Sequence, residues 1–412
     1  MKVLYHIVLL VSLSFSFIAL VLPLWGLELG AAAWQIGAML SAFSLVTVLG
    51  RPAVGWAIDR YGRRPFFLLG IAAYAATMVA YLFVTAVVGM ILSRALQGAA
   101  SALLWSSLRA TVADLAPEHK RAAAFGRMES SSAQGMMVGA VVGLVLIISL
   151  PFEWAWRWAM VVYTLGSVAA LLLAWRKLPE TRPGGAAPNA SSAPNGGACW
   201  SIWFFRRGLP RRLPASFVLL LVVVGVTAVS EALIAPLVVI YVREQLGATT
   251  FTIAWMFIPF GLVWAVLPAR LGPLSDRFGR VPLMAGSLVL GAVASMAMPL
   301  ISSLTAISLL WAAAAAAHAA GNPAENALVS DLCGDDRRGW GYGLHTTASG
   351  LGFTVGPLIG GWFYDLLTPW APFYLNAVVL LVSAGLVYFW GGKLWPSAGR
   401  ALPPPKGPPS ED

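Results

Sequence analysis

The stretch GWAIDRYGRRP occupies residues 55–65 and returns as GPLSDRFGRVP at residues 272–282, which lies 217 positions later (272 minus 55). The same offset relates LGAAAWQIGAM at residues 29–39 to LGATTFTIAWM at residues 246–256. No gap is needed between the two matches. A single register that holds at separate places along a chain is typical of a duplicated domain. The sequence therefore predicts two copies of one fold.

The amino-acid composition is that of a membrane protein. Hydrophobic residues make up 59% of the chain, charged residues make up 11%, and the mean hydropathy is +0.78. A soluble domain carries roughly 25% charged residues. The apolar residues form about twelve long blocks, each near the length of about 20 residues that crosses a bilayer. Their glycine and alanine content favours helices over barrel strands. The predicted fold class is therefore an all-α membrane protein with twelve transmembrane helices.

Basic residues concentrate in alternate connecting segments, and the segments between them offer little beyond Arg157 and Arg243. This positive-inside pattern predicts that both termini and the long central segment lie in the cytoplasm. It also accounts for the net charge of +10 without a nucleic-acid partner. We therefore expect a multi-pass protein of the inner (plasma) membrane, with the lipid bilayer as its surroundings and no nucleic acid bound.

The sequence lacks the motifs that would indicate a cofactor, a metal or an enzyme. Its two cysteines, Cys199 and Cys333, exclude a disulfide framework and a cysteine metal site. No phosphate-binding loop, HExxH or GxSxG motif occurs. We expect no cofactor, no metal and no catalytic residues.

The repeat divides the chain into four predicted parts. Residues 1–178 form the first six-helix bundle and residues 215–392 form the second. Residues 179–214 form a cytoplasmic linker, because their tract of Gly, Ala, Pro, Asn and Ser is typical of flexible connections. Residues 393–412 are rich in proline and are predicted to be a disordered cytoplasmic tail.

The repeated G-x-x-x-D-R-x-G-R-R motif resembles the signature loop of the major facilitator superfamily. The segment RALQG at residues 94–98 is similar to that family's second motif, and GPLIGG at residues 356–361 is similar to its Gly-Pro motif. The resemblance covers the chain apart from the linker and the tail. It implies two pseudo-symmetric six-helix bundles and a solute site between them near the membrane midplane. Ala140 departs from the antiporter form of the motif, which has a proline there on the fifth helix.

In that family the acid of the signature loop engages the start of the eleventh helix, and the loop arginines pair with an acid that ends the fourth helix. The resemblance therefore implies a cytoplasmic latch that stabilises the outward-facing state. The alternative is that these residues only anchor topology and contact lipid head groups. Gly55 and Gly62 in the loop are expected to allow close approach and a tight turn. The predicted latch residues are Gly55, Asp59, Arg60, Arg63, Arg64 and Asp114, and in the second copy Asp276, Arg277, Arg280 and Asp331.

Polar residues at helical spacing predict a solute cavity. One stripe lies on the fourth helix and one on the tenth, and the 217-residue offset superimposes much of the two. Equivalent faces of repeated helices are expected to line one central cavity. Arg109 and Glu325 lie at matching depths, which suggests an inner gate as a hypothesis. The predicted cavity residues are Arg94, Gln97, Ser101, Trp105 and Arg109 on the fourth helix, and His318, Asn322, Glu325 and Asn326 on the tenth.

Three ionisable residues are candidates for proton coupling. Glu231 lies in the middle of the seventh span, where burial favours the neutral, protonated carboxyl. His318 suits protonation near neutral pH, and Arg94 matches a motif arginine that the family associates with coupling. The alternatives are structural hydrogen bonds for Glu231 and His318, and a side chain that reaches the outer surface for Arg94.

The favoured function is proton-coupled export of an amphipathic or drug-like small solute by alternating access, as in drug/proton antiporters of this family. Aromatic residues such as Trp105, Phe257 and Trp264 suit the cavity for such a solute. Proton-coupled uptake of a small anion or metabolite, with Arg94 or Arg109 as counter-charge, is the main alternative. Lipid translocation and a non-transporting membrane sensor are further alternatives. The expected partners are a small-molecule solute and protons, and the chain is expected to be a monomer.

Overall fold

The computed structural model describes residues 1–116, 121–180, 214–333 and 338–391. These residues form twelve long α-helices and no strand. The all-α fold with twelve helices is therefore confirmed. Most of the linker and the whole predicted tail, together with their predicted roles, lie outside the described residues. The helices are α1 (Lys2–Glu28), α2 (Ala33–Tyr61), α3 (Arg63–Phe83), α4 (Val87–Leu115), α5 (Arg121–Ser149), α6 (Phe152–Lys177), α7 (Ala215–Gln245), α8 (Thr250–Phe278), α9 (Arg280–Ala297), α10 (Leu304–Cys333), α11 (Arg338–Leu366) and α12 (Ala371–Leu386).

The helices have the length and hydropathy that a bilayer requires. Among the described residues, ten helices are long and apolar enough to cross a membrane, and α8 contributes a shorter apolar stretch, Thr250–Val263. Large apolar side chains such as Phe83 and Leu49 stand on the outer surface. Lipid offers no hydrogen-bond partners, so a spanning segment must satisfy its backbone internally, as an α-helix does. The predicted membrane protein is thus confirmed.

Two pairs of glycines form tight turns at equivalent places in the repeat. Gly62 has a φ of 102° between α2 and α3, and Gly279 has a φ of 85° between α8 and α9. Gly30 and Gly247 likewise have φ values of 73° and 61°. Both pairs are 217 positions apart, and this backbone region is strained for residues with a Cβ. The predicted tight turn at Gly62 is confirmed, and the duplication extends to backbone conformation.

Gly55 does not provide the close approach expected of it. It lies inside α2, and a Cβ built there would meet nothing within 4 Å in the described part of the chain. The signature motif therefore uses its two glycines differently. Gly62 sets the turn, whereas the space beside Gly55 is open.

Small residues bring α5 against α1. A Cβ on Gly135 or Gly139 would collide with the carbonyl oxygens of Leu9 and Leu13, and one on Gly143 would collide with the ring of Phe17. The spacing of four residues places the three glycines on one face of α5. Glycine is needed because the α1 backbone lies where a side chain would begin. Gly135, Gly139 and Gly143 thus form a small-residue ridge against α1.

The compact units differ from the two sequence halves. The first unit comprises residues 1–212 together with Ala232–Ala254 and Phe353–Pro369, and the second comprises the rest. Parts of α7 and α11 thus group with helices of the first half. Close backbone contacts account for this grouping. A Cβ on Gly37 would meet the Pro357 carbonyl, and a Cβ on Gly361 would meet the backbone of Ala33 and Trp34.

The second unit has its own apolar core with a polar group inside it. Phe217, Leu220 and Val281 are among its fully buried side chains. The Asn376 amide donates a hydrogen bond to the Ser295 hydroxyl at 2.5 Å, and its carbonyl oxygen accepts one from Ser230. A buried amide must be hydrogen-bonded in this way to avoid an uncompensated loss of hydration.

We expect Gly139→Ala to destabilise the protein by about 1–3 kcal/mol, because the new Cβ displaces the α1 backbone. The matched control is Gly126→Ala on the same helix, where a Cβ would meet nothing within 4 Å. That control is expected to be neutral or slightly stabilising. Thermal unfolding in detergent measures both variants. Equal midpoints for the two would show that the ridge is not needed for packing.

Candidate functional site

A cavity of about 260 Å³ lies within the first unit, among α1, α2, α4 and the parts of α7 and α11 that belong to this unit. Most of its wall is apolar, and among the described residues Arg94 is the charged one that lines it. Cavities of this kind, apolar with few polar groups, are typical of small-molecule sites. The lining residues are Phe15, Ile18, Ala19, Leu40, Phe43, Ser44, Arg94, Gln97, Ala232, Ala235, Pro236, Phe353 and Pro357.

Arg94 is buried, with 7% of its surface exposed, so its side chain does not reach the outer surface. Its Nη1 donates to the Gln97 side-chain oxygen at 2.6 Å, and its Nε donates to the Met39 carbonyl at 3.4 Å. The guanidinium carbon lies 4.4 Å from the centre of the Phe43 ring. An amide, a carbonyl and an aromatic face therefore hold this cation.

A hydrogen-bonded network supports Gln97. Its side-chain oxygen also accepts from the Tyr81 hydroxyl at 2.8 Å, and its Nε2 donates to the Tyr74 hydroxyl at 3.0 Å. Tyr74 in turn accepts from Ser14 at 3.2 Å. These four side chains are buried. Because each end of the Gln97 amide is engaged, the oxygen that accepts from Arg94 has a fixed direction.

The predicted stripe on α4 continues from buried to exposed positions. Ser101 is buried, and Trp105 packs edge-on against Phe15 with ring centres 5.9 Å apart. Arg109 is exposed and lies 4.0 Å from the Glu129 carboxylate on α5. Of the five residues of this stripe, Arg94 and Gln97 line the cavity.

The stripe on α10 belongs to the second unit, where its first residue meets an acid of α7. His318 Nε2 lies 3.8 Å from the Glu231 carboxylate, and the two side chains are 40% and 44% exposed. Two of the three candidates for proton coupling thus face each other across two helices. A carboxylate beside an imidazole can exchange a proton with it through small movements or a water.

The rest of that stripe forms a second polar cluster. The Asn326 amide nitrogen donates to the Asn322 side-chain oxygen at 2.6 Å, and the Tyr342 hydroxyl donates to the Asn326 carbonyl at 3.0 Å. Glu325 and His345 are 2.6 Å apart, and their side chains are only 20% and 15% exposed. The predicted pairing of Glu325 with Arg109 as an inner gate stays a prediction.

Sequence reasoning missed His345, although a signal was present. Glu325 and His345 are each ten residues from position 335, the middle of the short connection between α10 and α11. Antiparallel helices joined by a short connection place such positions at the same depth. The partly buried Glu325 therefore has a histidine, His345, at the same depth on the next helix.

The same ion pair occurs in each unit, near the ends of the repeated helices. Arg63 Nε lies 3.0 Å from the Asp114 carboxylate, and Arg280 contacts Asp331. The two arginines are 217 positions apart, as are the two aspartates. Among the signature-loop arginines predicted as partners, Arg63 thus pairs with Asp114 in the first copy, and Arg280 pairs with Asp331 in the second.

The other predicted latch residues have different surroundings. Arg60 lies over the rings of Trp56 and Tyr61 at 5.5 and 5.7 Å. Arg64 donates to the Trp175 carbonyl at 2.7 Å. The side chains of three predicted latch residues lie outside the described residues: Asp59, Asp276 and Arg277.

Polar contacts also join α11 to the start of α2 and α7 to the end of α1. These helix ends are opposite to the ends that carry the arginine–aspartate pairs. The Asp365 carboxylate accepts from the backbone amides of Ala33 at 3.2 Å and Trp34 at 2.8 Å, which are the first residues of α2. Arg243 lies 3.4 Å from Glu28. Asp365 supplies the cap that α2 lacks, because Ala32 at its N-cap position has no side-chain acceptor.

The family assignment rests on the whole chain. A sequence model of the Major Facilitator Superfamily matches residues 4–230 and 220–411. The chain belongs to the Major Facilitator Superfamily. It is therefore a multi-pass membrane transporter that acts on a small solute, and it is not an enzyme.

Individual relatives agree with this assignment. The chain is 24% identical over 392 residues to Multidrug resistance protein 1 of Bacillus subtilis, covering 93% of this chain and 95% of that protein. It is 27% identical over 361 residues to a probable 4-methylmuconolactone transporter of Cupriavidus pinatubonensis, covering 85% and 78%. A bacterial homolog of the human lysosomal transporter Spinster, solved in an inward-facing and occupied conformation, has the same fold, with a TM-score of 0.77, 16% identity and 98% coverage of both chains.

We expect Asp365→Asn to weaken the start of α2, because a charged acceptor of two backbone amides is replaced by a neutral group. Loss of such a cap costs about 0.5–2 kcal/mol. Hydrogen exchange at the amides of Ala33 and Trp34 should accelerate accordingly. Glu153→Gln, an exposed acid in the first turn of α6, serves as the control and should leave these amides unchanged. Unaltered exchange in Asp365→Asn would contradict the assignment of the cap.

Proposed function

We propose that this transporter exports a small amphipathic solute in exchange for protons, by alternating access. The observation that carries the proposal is the cavity around Arg94. It combines apolar and aromatic walls with one fixed cation and a hydrogen-bonded amide. An amphipathic molecule matches that wall, because its apolar part is desolvated while its polar part finds donors. The cavity and the two predicted stripes on α4 and α10 form the proposed solute path.

Export is favoured by the likeness to a multidrug resistance protein over most of the chain. Multidrug resistance protein 1 of Bacillus subtilis covers 93% of this chain. Proton-coupled uptake of a small anion is the second candidate. Arg94 favours it as a counter-charge, and so does the likeness to a probable 4-methylmuconolactone transporter. Flux measured in both directions separates the two.

The Glu231–His318 pair is the proposed proton site. The two groups lie 3.8 Å apart on α7 and α10, within stretches that are long and apolar enough to cross a membrane. An ionisable pair in a spanning helix is costly, which favours a role in transport over a merely structural one. When Glu231 is protonated, its negative charge is removed and the pair can separate. A proton can therefore break the contact that joins α7 to α10.

The remaining predicted groups fit a conformational role in this scheme. We propose that the Arg63–Asp114 and Arg280–Asp331 pairs, with the signature-loop residues around them, form a latch on the cytoplasmic side. We also propose, from the alternation of basic loops, that both termini lie in the cytoplasm and that the protein lies in the plasma membrane. We further propose that it acts as a monomer, since each sequence half supplies six of the twelve helices that the fold requires.

Flux in proteoliposomes with an imposed pH gradient tests the proposal. Substrates are an amphipathic cationic dye, an aromatic carboxylate and a neutral aromatic amide. We expect the gradient to drive at least one of them in the wild type. Glu231→Gln should reduce the gradient-driven flux by at least about tenfold, because it cannot carry the proton. Exchange without a gradient should fall less.

Glu153→Gln is the matched control, since it removes an exposed acid near the start of α6. It should retain wild-type flux. Flux that ignores the pH gradient in the wild type would refute proton coupling. Flux driven only inward, with protons moving in the same direction, would replace export by uptake.

A further inference from the structure

We propose that the solute carries a carboxylate or a similarly compact anionic group, and that Arg94 binds this group in the cavity. This inference rests on the proposed function, because it takes the cavity as the place where the solute binds. It goes further by fixing the charge of the solute and the residue that recognises it.

The charge of Arg94 has no acidic partner in the described part of the chain. Its contacts there are neutral groups: the Gln97 amide oxygen, the Met39 carbonyl, the Phe43 ring and the Tyr81 hydroxyl. A guanidinium remains protonated in proteins, so the cavity carries a full positive charge. Burial removes most of its hydration, and the neutral contacts replace only part of that loss. An anion that enters the cavity supplies the missing counter-charge.

The geometry leaves donors of Arg94 for such a group. A guanidinium has five N–H donors, and two of them have acceptors among the described residues. Neither of these involves Nη2. A carboxylate can accept two parallel N–H bonds from one edge of a guanidinium, which is the strongest form of this contact. One N–H of Nη2 and one N–H of Nη1 form such an edge.

The side chain is also held in place before a solute arrives. Gln97 is engaged by Tyr81 and Tyr74, and it fixes one nitrogen of Arg94. Phe43 lies against one face of the guanidinium. Binding an anion therefore costs little side-chain entropy, which raises affinity.

The rest of the wall defines the other end of the solute. Among the residues that the structure describes, none of those lining the cavity is acidic, so none of them favours a cationic solute. Ile18, Leu40 and Phe353 are among the apolar side chains that face the space. The matching solute class is a small organic acid with an aliphatic or aromatic body.

Binding to the purified wild-type protein in detergent tests this class directly. The probes are 2-naphthoate, the neutral 2-naphthamide and the cationic 2-naphthylmethylamine, which share one aromatic body. We expect 2-naphthoate to bind at least about tenfold more tightly than the amide, as one charge-assisted bidentate contact allows. Equal affinities for acid and amide, tighter binding of the amine, or no binding of 2-naphthoate would each overturn the proposal.

Variants assign the preference to Arg94. Arg94→Gln should abolish the difference between acid and amide, and Arg94→Lys should retain part of it as a point charge without the fork. Arg157→Gln removes an exposed arginine on α6 and should behave as the wild type. An unchanged preference in Arg94→Gln would overturn the assignment. If Arg94→Gln fails to fold, Arg94→Lys and the wild-type comparison still decide.

The binding assay is separate from the flux assay. A preserved acid preference with flux that ignores the pH gradient refutes proton-coupled export and leaves this inference standing. Gradient-driven flux of the cationic dye alone, without an acid preference in binding, refutes this inference and leaves export standing.

Discussion

The cost of a charge inside an apolar bundle governs the arrangement around Arg94. The guanidinium cannot lose its proton and is too deep to be hydrated from the surface, so the protein must bring polar groups to it. Gln97, Tyr74, Tyr81 and Ser14 form the network that does so. Four helices contribute to this network: Ser14 from α1, Tyr74 and Tyr81 from α3, and Gln97 from α4, with the Met39 carbonyl from α2. One buried cation thereby specifies how four helices of the first half pack.

The duplication accounts for a second group of features, the turns and ion pairs that occur in both halves. The glycines at the turns and the two arginine–aspartate pairs follow one offset of 217 residues. These are positions where only one residue type or one charge pair satisfies the local geometry, so they persist in both copies. The interior has diverged instead. Arg94 lies on α4 and Glu231 on α7, and the equivalent of Glu231 in the first copy is Ser14. One half thus carries the buried cation and the other carries the acid–imidazole pair.

The sequence predicted what depends on composition and local geometry. Long apolar blocks predicted the helices, and Gly62 predicted a turn. The signature motif predicted that one of three arginines pairs with Asp114. It did not predict the cavity wall, because that wall includes Pro236 and Phe353, which no periodicity on α4 or α10 can indicate. Gly55 was misread for a related reason. A glycine in a motif suggests close approach, yet only the packing of neighbouring helices decides whether a side chain would have met anything.

The contact between Asp365 and the start of α2 is weak enough to break and form again. The capped amides of Ala33 and Trp34 need an acceptor, and Ala32 provides none from its side chain. Water can replace the carboxylate because Trp34 is exposed, so parting the two helices exchanges one acceptor for another. Such a cap is worth about 0.5–2 kcal/mol, which holds a conformation without trapping it. The close backbone contact of Gly37 with Pro357 limits how α11 can lie when the cap is formed. A weak polar bond and a close backbone contact together define this conformation, and a ligand that binds another conformation better by a few kcal/mol would shift it.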